Sequence, residues 1–193
     1  NSFGPDTIAA FTSALRIEQL ATQPLVALGI AMATYTAQNF GAGMVKRIRQ
    51  GVRVSFLMSS GFSIFIALLV RFVGENMIQV FIEDGNPHII ETGRMYLNIS
   101  TMFYFFLGMI FIFRNTLQGM GHSVIPLIAG IIELAMRSFA AIYLASKIGY
   151  LGICWASPIA WVGAALVVIG GYIETIRKMD HRYLKKHMLL SNG

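Results

Sequence analysis

Charged residues and cysteine are both scarce in this chain. Of its 193 residues only 12% are charged and one is cysteine, whereas 55% are hydrophobic. A soluble domain usually carries about 25% charged residues, so this composition excludes an ordinary water-soluble fold. A single cysteine, Cys154, cannot build a disulfide framework or a cysteine-rich zinc site, and we expect it to be a packing residue.

Motifs typical of catalytic and metal sites are also missing. The four histidines, His88, His122, His181 and His187, form no HExxH pattern, so the sequence offers no ligand set for a metal ion. Gly41-Ala42-Gly43 lacks the lysine and hydroxyl residue that a phosphate-binding loop requires. We therefore expect a protein that is not an enzyme, with no bound metal and no cofactor.

Basic residues outnumber acidic ones, which gives a net charge of +6. They cluster between apolar runs instead of covering one face of a soluble domain, so nucleic acid is not an expected partner. Residues 1–18 show no secretory signal pattern, and the first residue is Asn1. We interpret the chain as an internal piece of a longer protein.

Long runs with few charges organise the rest of the sequence. A membrane-spanning helix needs about 20 mostly apolar residues, and five segments meet this condition, approximately 15–40, 54–73, 95–117, 123–146 and 151–173. Helices are expected because few segments have the strand period that a closed barrel needs. The sequence thus predicts an all-α, polytopic membrane helical bundle of five spans over residues 1–178, with a basic cytoplasmic tail over 179–193.

The distribution of lysine and arginine predicts the orientation of these spans. Four basic residues lie within 46–53 and five follow the last span, namely Arg177, Lys178, Arg182, Lys185 and Lys186. Basic segments next to spans stay on the cytoplasmic side. The 74–93 connection instead carries Glu75, Glu83, Asp84 and Glu91 without a basic residue, which suits the outer side. Both observations predict an external N-terminus, a cytoplasmic C-terminus and a multi-pass protein of the cell (inner) membrane.

Glu133 and Arg137 are the clearest candidates for a functional role. They lie one turn apart in the middle of the fourth predicted span, so they share a helix face and can pair. Charges at this depth cost about 2.5–3.5 kcal/mol on insertion scales and usually face a bundle interior or a water-filled path. Two interpretations stay open: a pair that contacts substrate or coupling ion, and a salt bridge that fixes the rotation of the helix.

Other polar residues near or inside the spans are further candidates. Arg16 and Glu18 begin the first span, either as transport residues or as an interfacial anchor. The uncharged residues Gln38, Asn39, Asn98 and Tyr104 are candidates to line a cavity, or to make hydrogen bonds between helices. Arg114 is also a cavity-lining candidate, and its long side chain is expected to reach the cytoplasmic head groups.

Eight short segments, spread over nearly the whole chain, carry a resemblance to a known family. They are Gly4-Pro5-Asp6-Thr7-Ile8-Ala9-Ala10, Arg16-Ile17-Glu18-Gln19-Leu20, Gln38-Asn39-Phe40-Gly41-Ala42-Gly43, Val80-Phe81-Ile82-Glu83-Asp84, Tyr96-Leu97, Leu117-Gln118-Gly119-Met120-Gly121, Glu133 to Arg137, and Gly149-Tyr150-Leu151-Gly152-Ile153-Cys154-Trp155. In order and spacing they resemble the C-terminal half of the multidrug and toxic compound extrusion (MATE) family.

This resemblance implies a function that composition alone does not give. MATE proteins have two six-helix lobes around a central cavity and export cationic drugs in antiport with sodium or protons. By that likeness the chain holds five helices of the C-terminal lobe, and its partners are an organic cation or drug, a coupling cation, the lipid bilayer and the missing N-terminal lobe. The expected mechanism is secondary-active efflux by rocking of the two lobes.

One departure from the family pattern concerns the coupling site. The sodium-coupled branch resembles a design with an acidic residue partway along the helix that corresponds to Met95–Leu117, and Leu107 lies near that place here. Coupling in the missing lobe, or through Glu133, is therefore an alternative. Two other functions stay open, a flippase for a lipid-linked saccharide and a non-transporting membrane scaffold.

Overall fold

The described part of the chain consists of six helices and contains no strand. A computed structural model describes residues 4–80 and 87–191, without the side chains of Pro5 and of residues 181–191. The helices are α1 (Gly4–Gly41), α2 (Val45–Gln79), α3 (Pro87–Met102), α4 (Tyr104–Gly119), α5 (Val124–Ile148) and α6 (Tyr150–Ser191). Together they form a bundle in which α1 packs against α2, α3 and α4, while α6 packs against α3, α4 and α5.

The surface of the bundle is apolar, which identifies lipid as its solvent. Helix α2 buries a narrow stripe at helical spacing that includes Ile48, Val52 and Ser55. Its opposite face exposes Leu57, Phe65 and Phe72, and the last of these is 82% exposed. Monomeric soluble proteins rarely expose apolar patches of this extent, so the exposed face is the one that contacts the acyl chains.

Four helices are long and apolar enough to cross a membrane individually: α1, α2, α5 and α6. The third predicted span, 95–117, is not one straight helix, because α3 and α4 meet at Phe103 at an angle of 51°. Counted as one bent span, this pair gives the five spans expected from the sequence. The prediction of an all-helical, multi-pass membrane bundle is confirmed, and the third span consists of two helices with a bend between them.

A side-chain hydrogen bond and an aromatic contact accompany the break at Phe103. The Thr101 hydroxyl donates to the Leu97 carbonyl at 2.8 Å, which takes an acceptor that the backbone of the same turn also uses. Threonine hydroxyls bonded in this way bend helices. The Phe103 ring then packs edge-on against Trp155 of α6 at 5.5 Å between centroids, which holds the bend. No proline occurs at this position, so the apolar run in the sequence does not indicate the bend.

Several predicted boundaries differ from those of the helices. The basic run over 46–53 lies within the first turns of α2, and α6 continues past residue 178 to Ser191 without a break. In the acidic connection, Glu83 and Asp84 lie outside the described residues, whereas Glu75 of α2 accepts a bond of 3.3 Å from Arg94 of α3. The side chains of Arg182, Lys185 and Lys186 also lie outside the description, and the division at residue 178 stays a prediction.

Small residues allow the helices to approach closely where α1 meets α4. A Cβ atom at Gly119 would lie 2.6 Å from the backbone oxygen of Ala33 and 2.9 Å from the Cβ of Thr36. Membrane helices use small residues in this way to bring backbones into contact. Cys154 of α6, fully buried in the apolar core, is the packing residue that the sequence predicted.

Replacement of Gly119 by alanine should destabilise the bundle. The new methyl group would push α1 and α4 apart, and overpacking of this kind costs about 1–3 kcal/mol. Gly130→Ala is the matched control, because a Cβ atom there meets nothing within 4 Å. Thermal unfolding of the full-length protein in detergent measures both variants. Equal stability of the two variants would contradict the close approach of α1 and α4.

Candidate functional site

Three charged side chains form a network between α4 and α5. The Glu133 carboxylate accepts a hydrogen bond of 2.6 Å from Arg137, one turn along α5, and one of 3.1 Å from Arg114 of α4. Their side chains are only partly exposed: 18% for Glu133, 26% for Arg114 and 42% for Arg137. The predicted pairing of Glu133 with Arg137 is confirmed. Arg114, expected to reach the head groups, binds Glu133 instead, because a carboxylate in reach compensates its charge better than the interface does.

A second carboxylate, Glu18 of α1, has a very different environment. Its Oε2 atom accepts a hydrogen bond of 2.9 Å from the hydroxyl of Tyr96 on α3, and the side chain is partly buried. The buried Ser100 lies one turn further along α3, close to both groups. No guanidinium or ammonium group of the described residues forms an ion pair with Glu18 within 4 Å. Glu18 is thus a carboxylate that neutral hydroxyl groups surround.

Arg137 connects the two carboxylates electrostatically. Besides its direct bond to Glu133, its positive charge lies close enough to attract the Glu18 carboxylate. The two guanidinium groups and the two carboxylates carry no net formal charge as a set.

Four of the remaining candidates from the sequence are not part of the group formed by Glu18, Glu133 and the two arginines. Arg16 is exposed, whereas Glu18 is partly buried. Residues two apart point to nearly opposite sides of a helix, so these two side chains do not share a face. Gln38 is exposed near the end of α1, whereas Asn39 is buried and donates to the Tyr35 carbonyl at 2.8 Å. Asn98 is partly buried on α3. None of these four residues forms a hydrogen bond or an ion pair with Glu18 or Glu133 among the described interactions.

Tyr104 is the cavity-lining candidate whose phenol lies within the electrostatic range of Glu18. Its side chain is fully buried at the start of α4, and its ring packs against Trp161 at 6.1 Å between centroids. The negative charge of Glu18 acts on the Tyr104 phenol, whose oxygen forms no hydrogen bond in the described structure. Tyr104 therefore belongs to the polar cluster around Glu18.

Sequence analysis missed Tyr96 as a partner of Glu18. Tyr96, Ser100 and Tyr104 recur at intervals of four, which places polar groups on one face of an apolar helix. That spacing was the available signal, although the break at Phe103 interrupts the helix between the second and third residues. Within the described ranges, no three His, Cys, Asp or Glu side chains meet as a metal-binding group.

Comparison with known proteins identifies the family of this chain. The MatE family model matches residues 1–144 of the chain. The chain belongs to the MatE family. The match covers both carboxylates, Glu18 and Glu133, and the two arginines that bind Glu133.

Two curated relatives carry names that describe multidrug resistance or transport. The chain is 23% identical over 166 residues to "Probable multidrug resistance protein NorM" of Thermotoga maritima, a match over 86% of this chain and 34% of the relative. It is 26% identical over 153 residues to "FAD transporter" of Shewanella oneidensis, which covers 79% of this chain and 33% of the relative. The chain therefore spans about a third of the length of these relatives.

A solved MatE-family structure has the same fold. A crystal structure of a mutant of the MATE transporter VcmN of Vibrio cholerae superimposes with a TM-score of 0.84 at 20% sequence identity. The similarity covers 92% of this chain and 40% of that chain. The six helices thus have the arrangement of part of a MATE transporter, and the chain is a multi-pass membrane protein.

Proposed function

We propose that the chain is part of a secondary-active efflux transporter that exports organic cations in antiport with protons or sodium. The names of its relatives and its membership of the MatE family support this function. The chain would form five spans of a C-terminal lobe that rocks against an N-terminal lobe of the same protein. An organic cation or drug, the coupling cation, the lipid bilayer and that second lobe are the proposed partners.

The contrast between the two carboxylates carries this proposal. Glu133 is held by two guanidinium groups at 2.6 and 3.1 Å, so it is unsuited to release and rebind a cation during each cycle. Glu18 is bonded to the neutral Tyr96 hydroxyl at 2.9 Å, and Arg137, which attracts it, is itself bonded to Glu133, so the charge of Glu18 stays available to an exchangeable ion. Intramembrane carboxylates of this kind mark ion pathways. We assign coupling to Glu18 and a bracing role to the Arg114–Glu133–Arg137 network.

The position of Glu18 along its helix suits this role. Glu18 lies fourteen residues after Gly4 in a helix of 38 residues, which is about 21 Å from that end at 1.5 Å per residue. Leu107 of α4 is buried in the apolar core and supplies no carboxylate. Glu18 can thus act without a second acidic partner on α4, and its neighbours Tyr96 and Tyr104 supply hydroxyl groups instead.

Transport by the full-length protein in proteoliposomes tests the proposed function. Ethidium, a fluorescent organic cation, should accumulate when a proton or sodium gradient is imposed, and accumulation should stop when the gradient is dissipated. The control is a set of protein-free liposomes with the same gradient. If neither gradient drives uptake, the antiporter function is excluded, and the flippase and scaffold alternatives gain support.

The proposed orientation has the C-terminus and the α4–α5 link in the cytoplasm of the cell. Two exposed serines, Ser123 before α5 and Ser146 near its end, lie at opposite ends of this span. Native Cys154 is fully buried, so its background labelling should be low. In intact cells, an impermeant thiol reagent should label Ser146→Cys and leave Ser123→Cys unlabelled. The reverse pattern would contradict the orientation.

A further inference from the structure

A cleft of about 390 Å³ lies at one end of the bundle, between the α1–α2 turn and the C-terminal part of α6. Three basic side chains line it, Lys46, Arg47 and Arg49, together with the single acid Asp180. The rest of the lining is apolar or small: Gly43, Met44, Val45 and Met179. The cleft is distinct from the Glu18 cluster and plays no part in the proposed coupling.

The charges of the cleft are only partly compensated within the protein. Arg49 forms an ion pair with Asp180, which links the start of α2 to α6. Lys46 and Arg47 are exposed and have no ion-pair partner in the part of the chain that the structure describes. The lining residues therefore carry a net formal charge of +2. No acidic residue occurs in the first turn of α2 to offset it.

The walls of the cleft are held in place by specific contacts. The Tyr35 hydroxyl of α1 donates to the Arg47 carbonyl at 3.1 Å, and the Tyr35 ring lies directly against Gly51. Gly43 has φ of +71°, a left-handed conformation that allows the sharp turn between α1 and α2. The Arg49–Asp180 ion pair closes the other side. The backbone that carries the basic residues and the Arg49 side chain are thus held in place by the protein itself.

The cleft lies at the level where phospholipid head groups are expected. Helix α1 ends at Gly41 and α2 begins at Val45, so the cleft lies at the turn where these two apolar helices reverse direction at one face of the bundle. Basic pockets between membrane helices at this level bind anionic head groups. The methionines on the same walls suit the glycerol and upper acyl region of an amphiphile, which a free anion would not use.

We propose that this cleft binds the phosphate head group of an anionic phospholipid. Lys46 and Arg47 contact the phosphate, Arg49 contributes its remaining donors, and Met44 and Met179 contact the glycerol side. A bound lipid would link α1, α2 and α6 at this end of the bundle. The shared chemistry is a phosphate ester, and the test below separates a lipid from a soluble phosphate.

Native mass spectrometry of the full-length protein, with phosphatidylglycerol and phosphatidylcholine added to detergent micelles, tests the proposal. The wild-type protein should retain one phosphatidylglycerol in preference to phosphatidylcholine. The double substitution Lys46→Gln/Arg47→Gln should weaken phosphatidylglycerol binding about 25-fold, since each basic residue near a membrane surface adds roughly fivefold. Soluble glycerol 3-phosphate should not displace the lipid.

Arg177→Gln/Lys178→Gln is the matched control, because it removes two positive charges from exposed residues near the same end of α6 that do not line the cleft. It should leave phosphatidylglycerol binding almost unchanged. Lys46→Arg/Arg47→Lys keeps both charges and should bind normally, which separates charge from folding. An equal loss in the control, an unchanged Lys46→Gln/Arg47→Gln protein, or displacement by glycerol 3-phosphate would each overturn the proposal.

Discussion

Glu18→Gln should abolish gradient-driven uptake of ethidium by the full-length protein, down to the level of protein-free liposomes. The amide keeps the size of the side chain and a hydrogen bond with Tyr96, but it can bind neither a proton nor a sodium ion as a carboxylate does. Without an exchangeable cation, the imposed gradient has no group through which to drive export. Initial rates of fluorescence change in proteoliposomes measure the effect.

Glu91→Gln is the matched control for this substitution. It makes the same chemical change at an exposed position of α3, outside the polar cluster. It should transport at the wild-type rate. Binding of ethidium to Glu18→Gln in detergent should persist, which shows that the variant is folded. Gradient-driven uptake by Glu18→Gln at the rate of Glu91→Gln would remove Glu18 from the coupling step.

Glu133→Gln should have the largest effect on stability. It leaves Arg114 and Arg137 near each other without the carboxylate that binds both. Removal of one member of a fully buried pair costs about 3–5 kcal/mol. Since Arg137 is 42% exposed, we expect a loss of roughly 2–3 kcal/mol. Thermal unfolding of the full-length protein in detergent measures this loss.

A second substitution separates bracing from transport chemistry. In Arg114→Gln/Glu133→Gln the unpaired charge on α4 is removed together with the carboxylate, and Arg137 stays close to Glu18. This double variant should recover part of the lost stability and should still transport ethidium under a gradient. Glu174→Gln, which breaks the exposed pair with Lys178 on α6, should leave unfolding almost unchanged. A double variant less stable than Glu133→Gln would contradict the bracing role.

Span number and helix type could be predicted from the sequence because both depend on local composition. The few charges lie mainly at the ends of long apolar runs, and a chain in lipid must satisfy its backbone groups within helices. The bend at Phe103 escaped prediction, since it depends on the Thr101 hydroxyl and on packing against Trp155 of another helix. The length of an apolar run in the sequence does not indicate such contacts between helices.

For the candidate site too, contacts within one helix could be predicted from the sequence and contacts between helices could not. Glu133 and Arg137 are four residues apart on one helix, so their pairing followed from helix geometry. Arg114 is separated from Glu133 by 19 residues and Tyr96 from Glu18 by 78, so both contacts require the packing of different helices. For this reason the charged candidates could be named from the sequence, whereas the structure was needed to find the partners of Glu133 and Glu18 on other helices.

We propose that a coupling cation and an organic cation compete through Glu18. The most direct measurement is the release of protons, or of radioactive sodium, when ethidium is added to the purified full-length protein in weakly buffered detergent. Because linkage between two ligands is reciprocal, binding of ethidium should release about one cation per protein. We predict this release in the wild-type protein and in Arg114→Gln/Glu133→Gln, and its absence in Glu18→Gln. Undiminished release from Glu18→Gln would contradict the account.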